Sequence, residues 1–399
     1  MLTSLALIFL SGLFFAAAAK KLGLPGIIGM LLAGILLGPC GLDLLDPTIL
    51  SLSPDLRRMA LVIILIKAGL ALDLRDLRKV GRPALLMSFL PAAFEIGSYA
   101  LLAPLLFDLD LIEAIVMGSV LAAVSPAVVV PRMVDLIEAH RGTKKGIPQL
   151  ILAGASLDDV FVIVLFSTFS DMAAGGRPSA AALMEAPVSI LLGILLGILA
   201  GKLLCRFFEY CHHKGSTIRN STKTLITLST AFLLLTLEEL LTGFLPLSGL
   251  LAIMAMACML RNMPGMVAPR MAQKFGKLWI AAEALLFVLV GAAVDLGYML
   301  TAGPKALLLI ALALLIRTVG VVLCMIGTSL SLKERLFCVV SYLPKATVQA
   351  AIGSVPLAMG LPCGSLVLSV AVLAILTTAP LGAFGIDRLS PHWLTDDSE

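Results

Sequence analysis

Charge is what this chain lacks. Only 14% of its 399 residues are Asp, Glu, Lys or Arg, against about 25% in an ordinary soluble domain. Histidine is scarce too. The four copies, at 140, 212, 213 and 392, all fall in loops or after the last apolar run. That placement excludes a buried histidine proton relay and a His-based metal site. The seven cysteines are scattered, mostly within apolar segments, and no CxxC spacing occurs. They read as small core residues and not as a disulfide framework or a zinc site.

What is abundant is apolar. Hydrophobic residues make up 60% of the chain. A protein core of this length cannot absorb so much, so the solvent must itself be apolar, and the chain reads as a polytopic membrane protein. The opening stretch MLTSLALIFLSGLFFAAAAKK has no basic residues before its apolar run; its Lys pair follows instead. It reads as a first transmembrane helix and not as a signal peptide.

Apolar windows of about 20 residues give thirteen spans. They lie at roughly 3–19, 24–39, 56–73, 83–106, 110–132, 148–170, 185–207, 223–243, 246–261, 277–297, 304–327, 334–359 and 364–386. Lys and Arg set the orientation. With the N-terminus outside, the inner loops and tail hold 22 of the 29 and the outer loops four, namely Arg57, Arg58, Arg177 and Lys305. The expectation is therefore N-out and C-in.

Spans 1–6 repeat as spans 8–13. GLALDL at 69–74 and GAAVDL at 291–296 stand 222 residues apart, as do Glu95 and Arg317, and Pro25 and Pro246 stand 221 apart. A shift by seven helices is odd, so the halves are oppositely oriented: an inverted repeat, typical of secondary transporters. Span 7 connects them.

Span 5, VLAAVSPAVVVPRM, carries Pro126 and Pro131; its repeat partner, span 12, carries Pro344 in VVSYLPKATVQAAIGSVP. Proline removes a backbone hydrogen bond and displaces the preceding carbonyls. In lipid the freed groups must find protein or water. Paired interruptions in corresponding positions mark a binding site. Helix breaks are expected at Pro126, Pro131 and Pro344, with Lys345 placed to compensate the partial charge of the half-helix ends, or equally to repel the transported ion or to titrate.

Ionised groups in mid-membrane each cost about 2.5–3.5 kcal/mol on insertion scales. The chain carries Lys67, Glu95, Asp158, Asp159, Glu283, Arg317 and Lys345 within spans. Asp158 and Asp159 lie at the centre of span 6. Adjacent helical positions diverge by about 100°, so one carboxylate can face an ion path while the other faces a partner helix. An alternative is that SLDD caps a helix beginning at Val160, but it needs irregular backbone in lipid before it. A desolvated carboxylate can hold a proton at one pH and release it to a hard cation at another. Asp159, with Ser125, Ser156 and Thr347 as candidate ligands, offers the oxygens that such a cation prefers. Glu95 and Arg317 suggest a structural salt bridge between the halves. Lys67 and Glu283 fall on repeat-related spans, and their partners stay open.

LAAVSPAVVVPRM, KGIPQLILAGASLDDVFVI, YLPKATVQAAIGSVPL and LPGIIGMLLAGILLGP together resemble the monovalent cation:proton antiporter superfamily, NHA-type sodium/proton antiporter subgroup. The resemblance covers nearly the whole chain. It implies an all-α, NhaA-like fold with two crossed discontinuous helices, a homodimer, and an elevator-like sliding of a core domain. It maps the ion-binding aspartate (Na⁺ or Li⁺) to Asp159, with Asp158 beside it. Two departures stand out: Arg317 replaces the Lys of many electrogenic relatives, and Ser125–Pro126 replaces their frequent Thr-Asp-Pro.

On this reading residues 1–80 and 222–302 form the dimer or scaffold domain, 81–172 and 303–388 the ion-transport core, 173–221 a linker helix, and 389–399 a cytoplasmic tail. The expected activity is Na⁺(Li⁺)/H⁺ antiport in a prokaryotic inner membrane. The expected partners are the lipid bilayer, monovalent cations and protons, with no cofactor, no nucleic acid and no enzymatic reaction. The alternative is a sodium-coupled symporter of an organic anion, which would want neutral or basic groups where the aspartates stand. An intramembrane aspartyl protease needs carboxylates converging from separate helices; here they are neighbours.

Overall fold

A computed structural model of the chain describes residues 1–71, 81–175, 180–214, 218–241, 244–245, 247–261, 263 and 267–396. The side chains of 71, 156, 157, 160, 180–187, 190, 298, 300 and 301 lie outside that description. Among the described residues the regular elements are helices. In order they are α1 (Leu2–Lys21), α2 (Gly26–Leu37), α3 (Pro47–Ser51), α4 (Ser53–Ala71), α5 (Arg82–Met87), α6 (Leu90–Phe107), α7 (Leu111–Leu121), α8 (Pro126–Glu138) and α9 (Ile147–Gly175). There follow α10 (Ala180–His213), α11 (Asn220–Leu241), α12 (Gly249–Arg261), α13 (Val267–Ala292), α14 (Leu296–Cys324), α15 (Leu332–Ser341), α16 (Thr347–Ile352), α17 (Val355–Ala358) and α18 (Gly364–Trp393).

Among the described residues eight helical stretches are long and apolar enough to cross a bilayer: Leu2–Lys21, Arg82–Phe107, Leu111–Glu138, Leu191–His213, Asn220–Leu241, Val267–Ala292, Ala302–Cys324 and Gly364–Trp393. Shorter apolar helices join them at Gly26–Leu37, Phe161–Gly175, Gly249–Arg261 and Thr347–Ala358. Asp158 and Asp159 lie inside continuous helix α9. A helix starting at Val160 with SLDD as its cap is thereby excluded.

Spans 5 and 12 become the pairs α7/α8 and α15/α16, parted at 122–125 and 342–346. Each pair opens with a capping box, Asp110 with Glu113 in α7 and Ser331 with Glu334 in α15. Each resumes after an N-cap, Ser125 and Ala346. Both correspondences fall at an offset of 221 residues. Pro126 is the first residue of α8, where its missing N–H costs nothing. Pro344 lies within the second break. Pro131 breaks nothing: it sits inside α8. Near a helix start a proline forfeits one bond, to Ala127, and the next turn continues.

The chain forms two compact units. One comprises Met1–Pro54, Leu74–Ala174 and Ala284–Glu399. In it α6 packs along α14 and against α7, while α18 packs against α14, α15 and α17. Val129, Met133, Ile151, Phe337, Tyr342 and Ile386 belong to its buried apolar cluster. Gly382 on α18 makes room for the second break, since a Cβ there would fall 2.2 Å from Pro344 Cγ.

The other unit comprises Asp55–Asp73 and Gly175–Glu283. Its tightest pairing is α10 on α12. Gly193, Gly197 and Gly201 recur every fourth residue, and Cβ atoms on them would stand 2.5, 2.2 and 2.9 Å from the carbonyl oxygens of Ser248, Ala252 and Met256. Apolar solvent gives helices no hydrophobic reason to associate, so close backbone approach through small residues drives the pairing. Lys67 lies 5.7 Å from the centre of the Trp279 ring and interacts electrostatically with Glu283.

Gly197→Ala should therefore destabilise the protein by roughly 1–3 kcal/mol through overpacking. Gly276→Ala, with nothing within 4 Å of its added carbon, should not. Thermal unfolding of both variants in detergent checks this; equal melting temperatures would refute the glycine-stripe account.

Candidate ion-binding site

The two breaks meet. The Ser125 N–H donates to Pro344 O at 2.8 Å, joining one interruption directly to the other. Around this crossing the freed backbone groups are met one by one. Gln349 Nε2 donates to Ala123 O at 2.8 Å and to Leu121 O at 3.4 Å. Its Oε1 accepts from the Ala346 N–H at 2.8 Å. Thr378 Oγ1, on α18, accepts from the Lys345 N–H at 2.9 Å. Asp158 Oδ2 accepts from the Val124 N–H at 2.8 Å. A buried group left unmet would cost about 1–3 kcal/mol, so these contacts decide whether the breaks are tolerable.

Arg317 is the centre of the arrangement. Its guanidinium donates to Ala122 O and, at 3.0 Å, to Tyr342 O. Those carbonyls lie at the C-terminal ends of α7 and α15, the negative poles of two half-helices. It also bonds Glu95 Oε2 at 2.5 Å and Asp158 Oδ2 at 3.3 Å. Its carbon stands 5.5 Å from the centre of the Tyr342 ring. Five donors in a rigid fork make this many contacts possible for Arg and not for Lys.

Lys345 does something else. Its ammonium donates to Glu95 Oε2 at 2.6 Å. The half-helix carbonyls of Ala122 and Tyr342 are thus bonded by Arg317, and Lys345, expected from the sequence to compensate them, bonds a carboxylate instead. Lys345 lies within the second break, on the N-terminal side of α16, where that half-helix pole is positive and gives an ammonium nothing to neutralise.

The adjacent aspartates are treated differently. Asp158 is fully buried, with Oδ2 shared by Val124 and Arg317. Asp159, 7% exposed, makes no hydrogen bond or ion pair among the described residues, and its buried Oδ1 has no partner. The Oδ1 of Asp158, the hydroxyl of Ser125 and the phenol of Tyr342 are likewise buried and unmatched. Ser125 is the N-cap of α8, and Thr347, 3% exposed, is the first residue of α16. The side chain of Ser156 lies outside the described residues. No cluster of three or more His, Cys, Asp or Glu able to hold a metal occurs among the described residues. Carboxylate, hydroxyl and carbonyl oxygens are a donor set suited to a hard ion.

The sequence shows Gln349 as a polar residue at the second break and Thr378 as a hydroxyl in span 13, but gives neither of them, nor Tyr342, a role. The polarity of Gln349 and Thr378 on apolar helices is visible in the sequence; the groups they bond are not. Nothing in the sequence distinguishes Tyr342 from a core aromatic.

The transmembrane sodium/hydrogen exchanger family profile matches residues 5–389. The chain belongs to this family. Sodium/hydrogen exchanger 9B2 of Homo sapiens is 34% identical over 387 residues, covering 93% of this chain and 70% of that protein. Its namesake in Xenopus tropicalis is 35% identical over 382 residues, covering 92% and 69%. Among solved structures, the sodium proton antiporter MjNhaP1 from Methanocaldococcus jannaschii at pH 8 superposes with a TM-score of 0.84. It covers 98% of each chain at 20% identity, a likeness of fold. The exchanger family's antiporter resemblance, first carried by SLDD and YLPKATVQ, extends over nearly the whole chain.

Removing Arg317 leaves Glu95 and Asp158 buried without their shared cation. Arg317→Ala should cost about 3–5 kcal/mol. Arg317→Lys should cost less but still measurably, because one ammonium cannot serve four acceptors. Melting temperatures in detergent test the order wild type, Lys, Ala; an Ala variant as stable as wild type would sink the account.

Proposed function

We propose that this exchanger-family member carries Na⁺ or Li⁺ in exchange for H⁺, with both competing for Asp159. One observation carries the reading. Arg317 and Lys345 are two buried cations in contact with two buried anions, Glu95 and Asp158. That cluster is balanced. Asp159 is the fifth charge and has no ion-pair partner among the described residues. A bare buried carboxylate is costly, so it is neutralised by binding a proton or a small cation. Alternating between them is antiport. Ser125 and Thr347 at the half-helix starts, with Ser156 on the aspartate helix, are the proposed accessory ligands. Asp158 tethers the first break beside the site, and Glu95–Arg317 is the proposed structural bridge.

The finer architecture follows as part of the proposal. Thirteen spans in an inverted repeat of 1–6 on 8–13, NhaA-like, are supported by capping boxes and break ends recurring at an offset of 221 residues. Residues 81–172 and 303–388 form the transport core and slide in elevator fashion against a scaffold of 1–80 and 222–302 in a homodimer. The excess of Lys and Arg in alternate loops supports an outside N-terminus and an inside C-terminus. No observation favours the organic-anion symporter, because the site's uncompensated group is an acid.

Reconstitution in liposomes with a pH-sensitive dye tests this. Na⁺ or Li⁺ pulses should drive proton flux, and Asp159→Asn should abolish it while leaving the protein folded. Proton flux unchanged in Asp159→Asn, or none with either cation in wild type, overturns the reading. Repetition under a clamped membrane potential measures electrogenicity.

A further inference from the structure

Gln349 is fully buried and touches both interrupted helices. At one end its amide nitrogen donates to Ala123 O and Leu121 O, where α7 stops. At the other its oxygen accepts from the Ala346 N–H, where α16 starts. Arg317 also spans the two breaks, but only through carbonyls, Ala122 and Tyr342. Thr378 and Asp158 each serve one break. Among the described residues Gln349 is the side chain that pairs a carbonyl of one break with an N–H of the other. A primary amide suits the task, being neutral, planar, and a donor at one atom and an acceptor at the other.

We infer that Gln349 is a positioning residue: its amide holds the two breaks in register and thereby sets cation affinity without touching the cation. The first break is anchored to the aspartate helix through Val124 N–H and Asp158 at 2.8 Å. Ser125 follows Val124 directly, and Thr347 follows Ala346. The Gln349 bridge ends at Ala123 and Ala346, so it fixes the spacing of the two hydroxyl-bearing helix starts. Losing it frees two carbonyls and one N–H, and the crossing relaxes around Asp159. This inference rests on the proposed exchange for its kinetic consequence and on the hydrogen bonds alone for its structural one.

Two substitutions separate the possibilities. Gln349→Leu keeps the approximate volume and removes every bond. Gln349→Glu keeps the shape. When protonated it still offers one donor and one acceptor; when ionised it faces the Leu121 and Ala123 carbonyls with acceptors only. Na⁺-driven proton flux in liposomes should show Gln349→Leu with a Na⁺ KM raised about tenfold, the loss of about 1.4 kcal/mol in binding, at a Vmax within about twofold. Gln349→Glu should be near wild type at acidic pH and lose Na⁺ affinity as pH rises, a dependence a merely space-filling side chain would not produce. Amide hydrogen exchange in detergent, measured with no ion gradient, should be faster in Gln349→Leu at both 121–125 and 342–346. Wild-type KM and pH profile in both variants, or faster exchange at neither break, overturns the inference. Absence of Na⁺/H⁺ exchange in wild type overturns the function reading instead, and the hydrogen-exchange comparison still decides whether the bridge exists.

Discussion

Backbone polarity inside an apolar solvent is the constraint on which this structure depends. An intact helix satisfies its own N–H and C=O groups; an interrupted one cannot, and lipid supplies nothing in return. The chain interrupts spans 5 and 12 and brings the breaks into contact, so that each closes part of the other. Ser125 N–H on Pro344 O is the direct contact, and Arg317, Gln349, Asp158 and Thr378 complete it. Most polar groups buried at this crossing are explained by that need before any transport role is invoked.

The charges follow from the same geometry. Two half-helices end on negative poles near one point, and a guanidinium there neutralises both while binding Glu95 and Asp158. Lys345 adds a second cation to Glu95. The result is a compact cluster with equal numbers of each sign, which lowers the cost of burying any one member. Asp159 stands outside the cluster although it is the next residue in the chain. Helical geometry turns successive side chains apart, and that separates the carboxylate bonded to Val124 and Arg317 from the one whose buried oxygen has no partner among the described residues. The exchanger family to which the chain belongs works with ions of the kind such a carboxylate can hold.

Legibility in the sequence varied by kind of information. The interruption sites were readable at Pro126 and Pro344, because proline acts locally. Pro131 misled, since its effect depends on how far it lies from a helix start, and that start was set by the break. Glu95 and Arg317 were readable as a pair because the repeat offset links them. The bridging of Gln349 was not, because it is a contact between halves more than 220 residues apart in sequence. The glycines at 193, 197 and 201 were visible as a pattern, but which backbone they approach was not.

The sequence by itself determined the apolar solvent, the helical class, the interruptions at Pro126 and Pro344, and the presence of carboxylates in apolar helices. All of these are consequences of composition, period and local backbone chemistry. The tertiary structure decided which cation neutralises the half-helix ends, which aspartate is tethered, and which polar side chains close the crossing. The reason is physical: Arg317 and Lys345 carry the same charge, and Asp158 and Asp159 are the same acid. Only their placement against specific carbonyls and N–H groups, brought together from opposite halves of the chain, gives them different work.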